Sequence, residues 1–322
     1  STPLQSSFRA TNREPTSEFF TIGFRVASVA DHVCVTEQVS WTNINNGQNI
    51  GSFFGIAGTT SEIVAVGIDG RISTLNNATG IWNIQTFSGD PDFRDVIYAN
   101  NQYVVVREGG GIMTSNDGLT WTPRSSGTTN DLRALLWDGS KYFAAGQNGT
   151  ILSSANGQQW QVENSSGPFI NALAFSGDTY IAVGGFGIRV SSDGVTWSQP
   201  SSAPPSISFE AATWNGEKFI AGGLGFGSTA TLYESTDGQV WTISDTAFKW
   251  NIESLITACN TTWMVGDNAY IYSNCDNTWL NQYPTSIGSE FFMDVTQVGN
   301  RIIAAGFNHT VLVTEQICAG GN

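Results

Sequence analysis

Positive charge is scarce in this chain: 13 Lys and Arg stand against 27 Asp and Glu over 322 residues, a formal net charge of −14. A nucleic-acid backbone or an anionic membrane surface would be repelled overall, so both are poor partners. Charge of either sign is only 12% of the chain, about half the usual share. Ser, Thr, Asn and Gly take its place, a composition typical of secreted β-proteins. No apolar run approaches the roughly eighteen residues that a membrane helix needs, so membrane insertion by a helix is not expected. Histidine is nearly missing: His32 and His309 leave almost no material for a Ser-His-Asp triad or a His-ligated metal. The four cysteines, Cys34, Cys259, Cys275 and Cys318, form no Cys-x-x-Cys pair, so no metal centre and no cofactor is expected. Glycine-rich stretches such as Gly109-Gly110-Gly111 open no helix pattern, which removes a phosphate loop. Residues 1–17 lack the apolar core of a signal peptide and carry two prolines, so they read as a flexible N-terminal segment.

What is present is a ruler. Trp41, Trp82, Trp121, Trp160, Trp197, Trp241 and Trp279 fall at steps of 41, 39, 39, 37, 44 and 38 residues. Three of them end the string Ser-x-Asp-Gly-x-(Thr/Val)-Trp, with Asp117 before Trp121, Asp193 before Trp197 and Asp237 before Trp241; a fourth copy has Asn156 before Trp160. Within each unit, apolar runs of four to six residues alternate with Gly, Asn and Asp turns, the pattern of short antiparallel strands joined by hairpins. A period of about 40 to 45 residues in strand-rich units predicts propeller blades. The expected fold is all-β, a seven-bladed β-propeller of four-stranded antiparallel blades filling residues 18–322 as one domain. The Asp or Asn of the repeated turn is expected to accept backbone N–H bonds, with the Trp packed at the seam with the adjacent blade.

On these residues, and on the strand pair Val66-Gly67-Ile68-Asp69-Gly70-Arg71-Ile72, the chain resembles the Asp-box, or bacterial neuraminidase repeat, propellers. That family holds sialidases, sortilin-type receptors, xyloglucanases and photosystem II assembly factors, so the resemblance implies a fold rather than one activity.

The last unit ends at Cys318 without a tryptophan strand. A strand near Val39 to Asn45 is the obvious donor, so N- and C-terminal strands should close the ring. Cys34 and Cys318 would then flank the seam and form one disulfide. Cys259 and Cys275 belong to one blade whose turn has lost its Asp-Gly, and would form a second.

Function is sought where repeated units differ. One ring of unlike residues leads into the first strands: Phe54, Arg94, Arg133, Asn171, Glu210, Glu253 and Met293. Loops joining second to third strands add Phe186, Asp267 and His309. These residues suggest a secreted or cell-surface recognition module, non-catalytic, that binds a glycan or a protein partner, with Phe54, Phe186 and Trp250 as stacking surfaces. Two alternatives stay open. One is a polysaccharide hydrolase or lyase with Glu210 and Glu253 as its catalytic carboxyl pair; the other is an assembly or adhesion scaffold. A sialidase fits poorly: Phe24-Arg25-Val26-Ala27 lacks the proline of the sialidase Phe-Arg-Ile-Pro string, and Arg25, Arg94 and Arg133 find no matching Tyr–Glu pair.

Overall fold

A computed structural model of the chain describes residues 35, 37–87, 89, 91–185, 187–204, 207–224, 229–268, 270–275, 278–284, 290–315 and 317. Seven antiparallel sheets follow one another along the sequence, six with their strands paired in chain order and the seventh completed by the first strand of the chain. Their innermost strands are Phe53–Gly58, Phe93–Ala99, Leu132–Trp137, Ile170–Phe175, Ser208–Trp214, Ile252–Ala258 and Phe292–Val298, numbered here as blades 1 to 7. Each innermost strand packs against those of both neighbouring blades, and that of blade 7 packs back on that of blade 1. The ring is closed. Among the described residues there is no α-helix, only three single-turn 3-10 segments.

The core lies between blades rather than within them. Second strands such as Glu62–Gly67 carry Ile63, Val64, Ala65 and Val66, all at most 3% exposed. A strand covered on both faces reads as a continuous apolar run instead of alternating. At the seam between blades 1 and 2, Ala57, Val64, Val66 and Ile72 meet Phe93, Val96, Tyr103, Val105 and Met113, with Trp121 packed against them. No single four-stranded sheet could bury that much apolar surface alone.

The repeated turn behaves as its residues dictate. Asp117 Oδ1 accepts the N–H groups of Leu119 (2.9 Å) and Thr120 (2.7 Å) and the hydroxyl of Ser115 (2.9 Å). The indole of Trp121 donates to the Gly118 carbonyl (3.1 Å), which also takes the Thr74 hydroxyl of the preceding blade (2.7 Å). Asn156, Asp193 and Asp237 repeat the two backbone bonds, and Trp160, Trp197 and Trp241 repeat the indole bond. Each turn is thereby riveted within itself, and the first is tied to its neighbour.

Closure uses the N-terminal strand. Trp41–Asn43 pairs antiparallel with Val311–Thr314, Trp41 opposite Thr314, and forms the outermost strand of blade 7. The Trp41 ring meets Trp263 of blade 6 edge-on, centroids 6.1 Å apart. Among the described residues no cysteine is free, and Cys259 is disulfide-bonded. Cys34, Cys318, the side chain of Cys275 and residues 1–17 lie outside the described residues.

Blade 4 departs from its siblings. Beyond Gly187–Ser191 its fourth strand shrinks to a single bridge between Val190 and Ser198. Superposing the repeated turns of blades 3 and 4 puts Pro200 where the strand Gln161–Ser165 continues in blade 3. Proline has no N–H to add to a ladder. The chain instead turns to blade 5, where Ser202 N–H donates to the Gln239 carbonyl and Trp241 N–H to that of Ser202.

Candidate ligand-binding face

Each innermost strand carries a β-bulge at its second or third residue. Pairing with the second strand skips one residue in every blade: Phe54, Arg94, Arg133, Asn171, Glu210, Glu253 and Met293. These are the seven residues that sequence variation nominated. All are partly exposed, and each follows a buried apolar residue such as Phe53, Leu132 or Phe209. A bulge leaves one residue out of the ladder and re-aims its side chain. Because strand direction repeats from blade to blade, the seven bulges gather at one end of the ring, and the tryptophan turns at the other.

Glycine faces the bulge in all blades but one. In six blades the residue opposite it is glycine, at positions 67, 146, 184, 223, 266 and 306, and the backbones approach closely. A Cβ on Gly146 would stand 2.0 Å from the Asp131 carbonyl oxygen, and one on Gly306 1.8 Å from that of Phe291. Blade 2 manages the same bulge with Arg107 opposite.

Chemistry on this face is divided by sector. On blades 1 and 2, Arg94 pairs with Asp92 (3.2 Å) and closely with Glu108, and its guanidinium lies 4.2 Å from the centre of the Phe54 ring. Phe54 meets Phe307 edge-on at 5.7 Å, and Phe307 meets Phe291 at 6.4 Å. Phe54 is thus one wall of an aromatic cluster rather than an open stacking platform, and Arg94 is held by two carboxylates. Arg133 differs: among the described residues it has no carboxylate partner, its guanidinium lies 4.3 Å from the centre of the Phe169 ring, and its buried Nε has no acceptor.

Asn171, partly exposed, donates from Nδ2 to the Phe209 carbonyl of blade 5 (2.9 Å). His309 Nδ1 accepts the Gly51 N–H at 3.0 Å, at the seam of blades 7 and 1. Phe186 lies outside the described residues. Trp250 is 37% exposed, with Lys249 Nζ 5.1 Å from its ring centre.

Blades 5 and 6 form an acidic sector. The Ser208 hydroxyl donates to Glu210 (2.7 Å) and Asn251 Nδ2 to Glu253 (2.5 Å), which leaves the buried Asn251 Oδ1 without a partner. Burial raises Glu210 above the usual carboxylate range, against the pull of Ser208 and Arg133. Glu253 is pushed up to about 7, first by burial, then by the negative charges of Asp267 and Glu210. Asp267 is raised by burial as well.

Deeper in the channel, the residues after two bulges are carboxylates. Asp95 accepts the N–H of Leu135 in blade 3 (2.7 Å), and Asp294 accepts that of Ile56 in blade 1 (2.8 Å) and the Ser254 hydroxyl of blade 6 (2.8 Å). Both are raised, chiefly by enclosure within the ring, and Asp95 also by the charge of Asp294. They keep some accessible surface in the channel, so water there softens the rise. Their role is to stitch non-identical blades together.

Sequence reasoning missed the residues immediately before the innermost strands: Asp92, Phe169 and Asn251, each in contact with a bulge residue, and Phe291, which packs on the Phe307 ring beside Phe54. Their shared position in the repeat was the available signal.

The fold and this face define a seven-bladed β-propeller with one variable end. No family model matches the chain, and no curated protein does. Solved structures do. YCF48 from Cyanidioschyzon merolae superposes with a TM-score of 0.66 at 14% identity, over 85% of this chain and 98% of that one. YCF48 bound to D1 peptide gives 0.69 at 15%, over 88% and 99%. A catalytically inactive virginiamycin B lyase from Staphylococcus aureus, with quinupristin, gives 0.75 at 11%, over 87% and 100%. At such identities the likeness is one of fold.

Proposed function

We propose that this propeller is a secreted or cell-surface recognition module, of the Asp-box repeat type, that binds a segment of a protein partner across its bulge face. The observation that carries the reading is the contrast between the two ends of the ring. Seven bulges present five kinds of side chain, aromatic, cationic, amide, anionic and thioether, whereas four riveted turns at the far end are nearly alike. A structural neighbour that is bound to a peptide supports a protein ligand over a glycan. The face suits a charged segment: Arg133 offers an unpaired guanidinium, Glu210, Glu253 and Asp267 an excess of negative charge, and Phe54, Phe291 and Phe307 an apolar contact between them. Disulfides pairing Cys34 with Cys318 and Cys259 with Cys275, as expected from the sequence, would suit an extracellular setting.

Panning a random peptide display library on the protein, alongside a glycan array, tests the reading. Selected peptides should bind the wild type and lose affinity on Arg133→Ala. A positive glycan array with no selectable peptide, or peptides indifferent to Arg133→Ala, would refute it.

A second reading has one observation in its favour. Glu253, held near 7 beside the ionisable Glu210, has the acidity of a general acid, so a polysaccharide hydrolase or lyase is the alternative. Release of reducing or unsaturated ends from a polysaccharide panel, abolished by Glu253→Gln, would establish it.

A further inference from the structure

Where blade 4 loses its fourth strand, the structure holds a cavity of about 370 Å³. Phe169, Ile170, Val183 and Ile188 give it apolar walls, and Arg189 and Gln199 supply its long polar side chains. Its origin can be traced to sequence: Pro200 diverts the chain to blade 5, and Gly184 and Gly187 bring no side chain to fill the space. None of the seven bulged residues lines it.

Arg189 is the unexplained group. Among the described residues it makes no ion pair, side-chain hydrogen bond or ring contact, although it is only partly exposed. Its guanidinium lies against Gly167, where a Cβ would come within 2.4 Å of one terminal nitrogen. A guanidinium that keeps access to solvent and has no protein partner has its N–H donors free for a ligand. A partly open cavity of a few hundred cubic ångströms that combines apolar walls with a few polar groups has the make-up of a small-molecule site.

We propose that this cavity binds a small organic acid, one carboxylate on a flat apolar body. The carboxylate accepts paired N–H bonds from Arg189, the geometry that a guanidinium fork favours. The Gln199 amide gives a further donor at the rim, and the body packs on Phe169, Ile170 and Ile188.

The test is ligand-observed NMR titration of phenylacetate, of its neutral isostere phenylacetamide, and of a tetrapeptide ending in phenylalanine. Proteins compared are the wild type, Arg189→Gln, Arg189→Lys and Arg133→Ala, each first checked by its melting curve. Phenylacetate should bind, and phenylacetamide about tenfold more weakly or worse. Arg189→Gln should lose about tenfold or more, Arg189→Lys less, and Arg133→Ala no more than about twofold, since Arg133 touches the cavity only through the Phe169 ring. The proposal is overturned if acid and amide bind alike, or if Arg189→Gln leaves phenylacetate binding intact. It is equally overturned if Arg133→Ala removes that binding, if the peptide binds and phenylacetate does not, or if no probe binds up to about 10 mM.

Discussion

Replacing Glu253 by Gln should make the protein more stable, and only above a certain pH. In the folded chain Glu253 is pushed from the ordinary 4.5 to about 7 by burial and by Asp267 and Glu210. A folded value above the unfolded one means that the native state holds its proton longer. The penalty is absent below about pH 4.5, grows as pH rises through the interval, and is complete above pH 7. A rise of that size corresponds to about 3 kcal/mol for the ionised form. Glutamine keeps the oxygen that accepts from Asn251 (2.5 Å), and its amide turns an uncompensated charge into a donor facing two carboxylates. Scanning calorimetry at pH 4 and pH 8 reads the effect. At pH 8 the variant should melt about 4–8 °C higher, given the small shift per kcal/mol in a large domain; at pH 4 the curves should coincide. An unchanged or lowered melting point at pH 8, or the same gain at both values, would refute the electrostatic account of this sector.

Gly146→Ala should cost several kcal/mol, because its Cβ would stand 2.0 Å from the Asp131 carbonyl, and urea unfolding should show the loss. Asp117→Ala removes the acceptor of two backbone N–H groups and should cost about 1–2 kcal/mol, whereas Asn156→Asp should gain less than about 1 kcal/mol by making the same bonds charge-assisted. Asp95 and Asp294 are both raised, so their contribution to stability is lost as pH climbs above the unfolded carboxylate value. The urea midpoint of Asp95→Asn should therefore fall less than that of the wild type between pH 5 and pH 9.

The tryptophan ruler and the Asp-Gly turns made the blade count and the latch legible, because each records a local requirement repeated by every unit. The ring of variable residues was legible for a related reason: where the scaffold is constant, differences stand out. The function of each member was not. Arg94 and Arg133 occupy the same repeat position, yet one is clasped by Asp92 and Glu108 and the other rests on Phe169 unpaired. Those partners come from neighbouring loops whose approach is set only by blade packing. Asn171 and His309, nominated as ligand contacts, each also make a hydrogen bond to the neighbouring blade that the linear pattern did not show. The shortened blade 4 had a visible cause in Pro200, but the cavity depends on where the diverted chain goes, which a linear pattern does not carry.

A bulged residue takes no part in the ladder that holds its strand. The seven positions at the mouth of this ring can therefore change identity with little penalty to the backbone beneath them, provided that the glycines opposite stay. Such a scaffold permits combinatorial variation, in which new specificities arise by swapping single side chains while the folding problem remains solved. Saturating those seven codons, with everything else untouched, would turn the molecule into a library of binders.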